Sequence, residues 1–147
     1  MDYDDIEILF VEDSLDDSVL TIRALIKSGF TNKLLHVKDG AEALEFMYCQ
    51  GIYASRNIEK KPKLILLDLK MPKISGMQVL KKLKSDPENK SIPIVILTSS
   101  REDPDIENCY SLGANSYIVK PVDSNNFFNA IKEIGLYWMV LSQASTL

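Results

Sequence analysis

The sequence is poor in the residues that build soft-metal sites and disulfide frameworks. It has two cysteines, Cys49 and Cys109, and one histidine, His36, among 147 residues. Nothing in the spacing of the cysteines suggests a metal site, and isolated thiols are normally kept reduced in the cytoplasm. We therefore expect a cytoplasmic protein, and we interpret His36 as an ordinary strand residue.

Long apolar runs and an excess of basic charge are also missing. No stretch approaches the roughly 18 apolar residues that a membrane-spanning helix needs. The N-terminus, MDYDDIEILF, has neither the basic region nor the long apolar region of a secretion signal. With 21 acidic and 17 basic residues the net charge is −4, so we expect no broad attraction to nucleic acids or anionic membranes.

What the chain does have is enough apolar sequence for one hydrophobic core. Hydrophobic residues make up 46% of the 147 residues and charged residues 26%, which is typical of a globular domain of ordinary size. We predict a single domain over residues 1–147. Its core would cover about residues 5–135 and a C-terminal extension about residues 136–147.

Five short apolar runs alternate with helical patterns along the chain. Near-continuous Val, Ile and Leu in several runs indicates strands covered on both faces, and strand–helix alternation indicates a parallel sheet with helices on both sides. The predicted fold is therefore α/β and flavodoxin-like, with strand order 2-1-3-4-5. On the first helix, Val19, Ile22 and Ile26 form the apolar stripe expected to face the core. The runs cover residues 6–11, 33–37, 64–68, 92–98 and 116–119.

Polar side chains follow four of these strands at the point where each strand ends. Glu12 and Asp13 follow the first, Asp68 ends the third, Thr98 ends the fourth and Lys120 follows the fifth. These ends meet at one edge of a parallel sheet, where ligands bind. Clustered carboxylates repel one another unless a cation intervenes, and hard oxygen ligands favour Mg²⁺. We predict Asp13 and Asp68 as direct ligands and Glu12 as a ligand through water, beside a hydroxyl and an ammonium suited to a phosphoryl group.

The segments FVEDS, LLDLKMPKISG, ILTSS and YIVKPV together resemble the receiver domain of bacterial two-component response regulators. The resemblance covers essentially the whole chain. It implies that Asp68 is the phosphoacceptor and that the backbone carbonyl of Lys70 joins the Mg²⁺ ligands. It also implies that Lys120 and Thr98 contact the phosphoryl group, and that Tyr117 switches position together with Thr98.

The same resemblance implies a signalling module rather than an enzyme in the ordinary sense. A sensor histidine kinase would donate the phosphoryl group, and the receiver would catalyse its own phosphorylation and dephosphorylation. The face formed by helix 4, strand 5 and helix 5 would then switch, and the Lys120–Pro121 bond is a candidate cis peptide. No output domain is expected to follow. A long connection after helix 2 and an aromatic C-terminal tail resemble the small regulators paired with bacterial phytochromes, especially cyanobacterial ones.

Two segments are longer than a minimal receiver requires. We expect the second helix to continue past Gly51 and a basic loop to return through residue 63. The last helix is predicted to run on through residues 127–143, with an extension that is apolar on every side. We expect this helix to form a homodimer or to dock to a kinase, using Phe127, Ile131, Ile134, Tyr137, Trp138 and Leu141.

Several alternatives remain open at this stage. A haloacid-dehalogenase-like phosphatase also uses a strand-end aspartate, but it needs a second aspartate where Lys70 stands. A flavin or nucleotide carrier would need a glycine- or hydroxyl-rich loop where this chain has VEDSLDD. A degenerate receiver that serves only as a scaffold is the third alternative.

Asp16 and Asp17 are interpreted only as acidic residues in the first turn of a helix, where the helix dipole favours negative charge.

Overall fold

Strands and helices alternate along the part of the chain that the computed structural model describes, which is residues 2–30, 32–99 and 101–136. The strands are β1 (Ile8–Val11), β2 (Leu34–Val37), β3 (Leu64–Asp68), β4 (Ile94–Thr98) and β5 (Ser116–Val119). The helices are α1 (Leu15–Lys27), α2 (Gly40–Met47), α3 (Gly76–Ser85), α4 (Asp103–Ser111) and α5 (Ser124–Glu133). Two short 3-10 helices cover Tyr3–Asp5 and Gly51–Tyr53. Among the described residues, no helix is both long enough and apolar enough to cross a membrane.

The five strands form one parallel sheet in the order β2-β1-β3-β4-β5. This confirms the predicted α/β fold and its strand order. Every residue of β1, β3 and β4 is buried, as expected for central strands with helices on both faces. The chain moves to opposite sides after β1 and after β3, which creates the switch point where ligands bind in this class of sheet.

Side-chain alternation along the strands divides the core into two clusters. Ile65 and Leu67 of β3 join the cluster that contains Phe46 of α2 and Val79 of α3. Leu64 and Leu66 join the other cluster, which contains residues of α1 and α5. The sheet therefore has α2, α3 and α4 on one face and α1 and α5 on the other. Its central strand is held on both sides by apolar packing.

Helix α1 packs on the sheet with a different face from the one predicted. Its buried residues are Ser18, Thr21, Ala24 and Leu25, whereas Val19 and Ile26 of the predicted stripe are exposed. Ser18 can face the core because its hydroxyl donates a hydrogen bond to the Leu15 carbonyl at 2.7 Å, which satisfies the buried polar group. Ile22 of the predicted stripe packs against the core, so the prediction is wrong for Val19 and Ile26, and α1 presents apolar side chains to solvent.

Helix α2 ends at Met47. The prediction that it continues past Gly51 is therefore wrong. Two residues with positive φ, Cys49 at 54° and Gly51 at 57°, turn the chain instead. The buried Tyr53 then donates a hydrogen bond to Glu42 at 2.7 Å. The connection therefore packs back against the helix that it follows.

A single arginine organises the rest of this connection. Arg56 is buried, and its guanidinium lies 4.0 Å from the centre of the Phe46 ring. It donates hydrogen bonds to the Phe46 carbonyl at the end of α2 and, at 2.7 Å, to the Lys60 carbonyl. Arginine is suited to this role because its planar group can stack on a ring and donate along several directions. One basic residue of the predicted basic loop is thus buried, and it holds the loop against the end of α2.

Helix α5 ends earlier than the sequence pattern indicated. The Leu136 N–H donates to the Ile131 carbonyl at 2.9 Å and the Gly135 N–H to the Lys132 carbonyl at 3.1 Å, and Gly135 has φ of 81°. These two bonds are those of a Schellman C-terminal motif. The prediction of an uninterrupted helix through residue 143 is therefore wrong at Gly135.

The predicted docking face of this helix also needs correction. Phe127 and Ile131 are fully buried in the core beneath α1 and α5, where the rings of Phe127 and Phe30 pack edge to face at 5.0 Å. Ile134 packs against the same cluster. Side chains that fill this chain's own core cannot also form a partner surface. The remaining residues of the predicted face, Tyr137, Trp138 and Leu141, lie outside the described residues.

Candidate functional site

Three carboxylates meet at the carboxyl edge of the sheet. Val11 and Leu67 are paired across β1 and β3, so the next residues, Glu12 and Asp68, emerge side by side. A carboxylate oxygen of each of Glu12, Asp13 and Asp68 lies within 4.8 Å of the others. Glu12 and Asp68 are only 1% and 4% exposed, whereas Asp13 is exposed. The structure thus brings together the three acidic residues that the sequence pattern placed at this edge.

Backbone and ring contacts fix the position of Glu12. Its N–H donates to the Val37 carbonyl of β2 at 3.0 Å, and its side chain accepts a hydrogen bond from the Ser14 N–H at 3.3 Å. The Nε2 of His36 lies 2.8 Å from the Glu12 carbonyl oxygen, and the His36 ring stacks on Phe10. His36 therefore supports the backbone of this edge from β2, a contact that no sequence motif indicated.

The loop that follows Asp68 is held by a close approach of two backbone segments. The Gly76 N–H donates to the Leu69 carbonyl at 2.9 Å. A Cβ atom at Gly76 would lie 2.1 Å from the Asp68 carbonyl oxygen, a separation that atoms do not tolerate. Glycine is required at this point because the start of α3 packs directly on the backbone of the acidic residue. This explains the glycine in the segment KISG.

The ammonium of Lys120 lies among three carboxylates. Its Nζ is 2.7 Å from Glu12 Oε1, 2.8 Å from Asp17 Oδ2 and 3.4 Å from Asp68 Oδ1. The Lys120 N–H also donates to the Thr98 carbonyl at 2.7 Å, which ties the ends of β4 and β5 together. The Lys120–Pro121 peptide bond is cis. The lysine therefore brings one positive charge into an acidic pocket.

Charge and burial shift the acid–base properties of this pocket. Burial raises the pKa of Asp68 to about 7, and the negative charge of Glu12 adds to this rise while Lys120 opposes it. Burial alone would lower the pKa of Lys120, but hydrogen bonds with Asp17 and Glu12 and the charge of Asp68 outweigh it and raise that pKa. Without a further cation, Asp68 thus holds a proton near neutral pH far more readily than an ordinary aspartate does.

The donor set fits a hard divalent cation. Its three residues supply carboxylate oxygens only, which Mg²⁺ and Mn²⁺ accept, and the exposed Asp13 leaves one side open to water. Lys70, whose carbonyl is the fourth predicted ligand, lies two residues after Asp68 and is exposed. Its role as a ligand stays a prediction.

The two predicted switch residues occupy neighbouring strands. Thr98 ends β4 and is fully buried. Tyr117 lies on β5, where it is paired with Ile96 in the sheet register, and it packs half-buried against the core beneath α2, α3 and α4. The structure places both residues on adjoining strands near the pocket, and their movement stays a prediction.

Asp17 is a further residue of the site that the sequence pattern did not indicate. It lies in the first turn of α1 and was interpreted only as a residue that complements the helix dipole, yet its side chain contacts Lys120. The available signal was its place in the chain. A helix that begins at the acidic edge of the sheet holds its first-turn side chains within reach of that edge.

Comparison with known proteins assigns this fold and site to a family. Residues 8–132 match the response regulator receiver domain. The chain belongs to the response regulator receiver family. Members of this family take a phosphoryl group from histidine kinases, and they bind Mg²⁺ or Mn²⁺ in an acidic pocket of the kind formed here by Glu12, Asp13 and Asp68.

Two curated relatives match over nearly the whole chain. Response regulator Rcp1 of Synechocystis sp. (strain ATCC 27184 / PCC 6803 / Kazusa) is 37% identical over 132 residues, which cover 90% of this chain and 88% of Rcp1. The probable methanogenesis regulatory protein FilR2 of Methanothrix harundinacea (strain 6Ac) is 35% identical over 133 residues, which cover 90% of this chain and 83% of FilR2.

Solved structures of response regulators superpose on the whole domain. The bacteriophytochrome response regulator RtBRR is 44% identical with a TM-score of 0.83, and the match covers 89% of this chain and 78% of RtBRR. The Mn²⁺-bound form of Rcp1 is 37% identical with a TM-score of 0.73, covering 90% and 93%. The phosphorylated cyanobacterial phytochrome response regulator RcpA is 36% identical with a TM-score of 0.74, covering 92% and 96%.

The raised pKa of Asp68 predicts that its ionisation destabilises the metal-free protein. The folded-state pKa of about 7 lies above the ordinary value of 3.8, so the free energy of unfolding falls as pH rises through this interval. In metal-free buffer at about pH 8, Asp68→Asn should therefore raise the free energy of unfolding by roughly 1–3 kcal/mol. At about pH 4 the gain should largely vanish, because Asp68 of the folded wild-type protein is protonated there and, like asparagine, carries no charge. Urea denaturation at both pH values measures the difference.

Asp13→Asn is the matched control for this measurement. It removes one charge from the same cluster, but from an exposed side chain, so its gain at about pH 8 should be smaller. Added Mg²⁺ should stabilise the wild-type protein and leave Asp68→Asn nearly unchanged. A metal-free Asp68→Asn protein less stable than the wild type at about pH 8 would contradict the account.

Proposed function

We propose that this chain is a single-domain response regulator that accepts a phosphoryl group from a sensor histidine kinase on Asp68. The observation that carries the proposal is the set of contacts around this carboxylate. Glu12 and Asp13 converge with Asp68, and the ammonium of Lys120 lies 3.4 Å from it. Phosphoryl transfer depends mainly on positioning and on charge neutralisation, and this group of side chains is suited to both.

The proposed reaction moves the phosphoryl group from nitrogen to oxygen. A carboxylate oxygen of Asp68 attacks phosphorus, the P–N bond of the kinase phosphohistidine breaks, and an acyl phosphate forms as the imidazole leaves. Asp13, Asp68 and the carbonyl of Lys70 would hold Mg²⁺ directly and Glu12 would hold it through water. The ion would supply positive charge to the carboxylates and to the transferring oxygens. Attack by water on the acyl phosphate restores Asp68 and releases phosphate, so the chain would catalyse its own resetting.

Lys120 and Thr98 would act on the oxygens of the phosphoryl group. Lys120 can donate from its ammonium while its backbone N–H stays bonded to the Thr98 carbonyl. The Thr98 hydroxyl would supply a second donor at the end of β4. Its movement toward the phosphoryl group, with Tyr117 filling the vacated space, would shift the population of the α4–β5–α5 face.

An exposed apolar face beside the pocket supports the docking of a helix from the kinase. Leu15, Val19 and Leu20 of α1 are exposed apolar residues. Leu20 also lines a depression of about 300 Å³ with Asp17, Lys120 and further residues next to the acidic site. An apolar helix face that adjoins the acceptor would let a helix of a cytoplasmic histidine kinase dock while its phosphohistidine reaches Asp68.

A phytochrome-type kinase is our proposal for the donor. It rests on the similarity to RtBRR and RcpA, which are described as regulators of bacteriophytochrome and phytochrome systems. FilR2, a relative of similar identity, is instead a probable methanogenesis regulatory protein. The phytochrome-type donor is therefore the narrower part of the proposal. Among the alternatives, the phosphatase is disfavoured because the exposed Lys70 stands where that enzyme class needs a second aspartate.

Phosphorylation by a small donor tests the acceptor directly. Acetyl phosphate and Mg²⁺ should convert the wild-type protein to an acid-stable, base-labile phosphorylated form that a phosphate-affinity gel separates. Asp68→Asn should give no such form, because the attacking carboxylate is absent. The matched control, Asp16→Asn, makes the same chemical change at an exposed position of α1 and should label like the wild type. Equal labelling of wild type and Asp68→Asn would exclude Asp68 as the acceptor.

Self-association through the C-terminal extension is the last part of the proposal. Its support is the apolar sequence LYWMVL of residues 136–141, since an apolar segment of this kind is usually covered by other protein surface. Light scattering at high micromolar concentration should give the mass of a dimer, and Trp138→Glu should lower it toward that of a monomer. A wild-type protein that stays monomeric would contradict this part alone.

A further inference from the structure

The contact between Asp17 and Lys120 points to a second role for the start of α1. We propose that Asp17 is a positioning residue that holds the Lys120 ammonium on the α1 side of the pocket, in competition with Asp68 and its phosphoryl group. The inference rests on the proposed phosphorylation of Asp68, and it adds a residue that tunes how strongly the pocket binds a phosphoryl group.

The Asp17 carboxylate accepts a hydrogen bond from the pocket rather than from the backbone at the start of its own helix. Ser14 caps α1 and accepts a hydrogen bond from the Asp17 N–H at 3.2 Å. An acidic residue at this third helical position commonly returns a bond to the N–H of the capping residue. Here the Ser14 N–H donates to Glu12 at 3.3 Å, and the Asp17 carboxylate accepts from Lys120, 103 residues further along the chain. The side chain is therefore committed to the pocket.

The distances around Lys120 indicate competition. An ammonium has three N–H donors, and three carboxylates lie near this one. Glu12 and Asp17 are at 2.7 and 2.8 Å, within hydrogen-bond distance, whereas Asp68 is at 3.4 Å. The hydrogen bond to Asp17 therefore draws the ammonium toward α1 and away from the acceptor, while a further N–H can still point to Asp68.

Asp17 differs from the other two carboxylates near Lys120 because it lies outside the predicted metal site. Glu12 and Asp68 belong to the carboxylate cluster suited to the metal ion, so a bound cation would compensate their charges. Asp17 contacts the ammonium from the helix side of the pocket, and its side chain is 41% exposed while that of Lys120 is 13% exposed. A metal ion among Glu12, Asp13 and Asp68 would leave Asp17 as a remaining anionic partner of Lys120.

The expected size of the effect is moderate because the ion pair is partly open to water. Pairs with one exposed member contribute little, and the loss of one corresponds to a change of about two- to fivefold in an equilibrium constant. Asp17 would therefore adjust the strength of phosphoryl binding without deciding whether it occurs. Removal of its charge should free Lys120 to donate to the oxygens, or to the equivalent fluorines of an analogue, on Asp68.

Beryllofluoride, which stands in for the phosphoryl group on an aspartate, provides the probe. Its dissociation constant at saturating Mg²⁺ can be measured by ¹⁹F NMR titration. Asp17→Asn should bind it about two- to fivefold more tightly than the wild type. Asp17→Glu, which keeps a carboxylate, should restore the wild-type value. Amide spectra of each variant verify that it is folded.

Asp16→Asn separates the specific contact from a general loss of negative charge. Asp16 adjoins Asp17 in sequence and is exposed, so long-range electrostatics alone would make both variants bind more tightly by similar amounts. Equal affinities of Asp16→Asn and Asp17→Asn, or weaker binding by Asp17→Asn than by the wild type, would overturn the inference. If wild type and Asp68→Asn instead respond alike to beryllofluoride, the proposed phosphorylation itself fails.

Discussion

The repulsion among carboxylates at one edge of the sheet is the constraint on which the rest of this structure depends. Burial and the charge of Glu12 raise the pKa of Asp68 to about 7, and one ammonium, that of Lys120, lies among the acids. The negative charge of the acids exceeds the single positive charge of Lys120, and a divalent cation would balance it. Under the proposed function, a phosphoryl group would bring further negative charge to this site, and the cation and Lys120 would be needed together to balance it.

The fold can hold these charges close together because its central strands are anchored along their whole length. β3 is buried from Leu64 to Asp68 between β1 and β4, so Asp68 has little freedom to retreat from Glu12. Gly76 lets α3 begin directly on the backbone of Asp68. On the other side, the Thr98 carbonyl accepts a hydrogen bond from the Lys120 N–H and fixes the backbone of the residue that carries the ammonium, just after β5. Apolar packing thus supplies the rigidity that the electrostatics would otherwise oppose.

Much of this arrangement could be predicted from the sequence, and the failures have physical reasons. The alternation of apolar runs and helices was sufficient for the strand order, and strand-end polar residues were sufficient for Glu12, Asp13, Asp68 and Lys120. Contacts between elements could not be predicted in the same way. Asp17 has the same local pattern as any first-turn acid, and only the position of Lys120 in the folded chain, just after β5, shows its partner. The prediction of the buried face of α1 failed because Ser18 can be buried, since its hydroxyl donates a hydrogen bond within the helix. A pattern of hydrophobic residues does not reveal such a bond.

The most direct test of the central claim is the chemical location of the phosphoryl group. After treatment with acetyl phosphate and Mg²⁺, borohydride reduces an acyl phosphate to the corresponding alcohol, and trypsin releases residues 64–70 between Lys63 and Lys70. The account predicts homoserine at position 68 in the mass spectrum of this peptide, and none when Mg²⁺ is removed. An unmodified Asp68, or instead a reduced Glu12 or Asp13 in the tryptic peptide of residues 1–23, would contradict it.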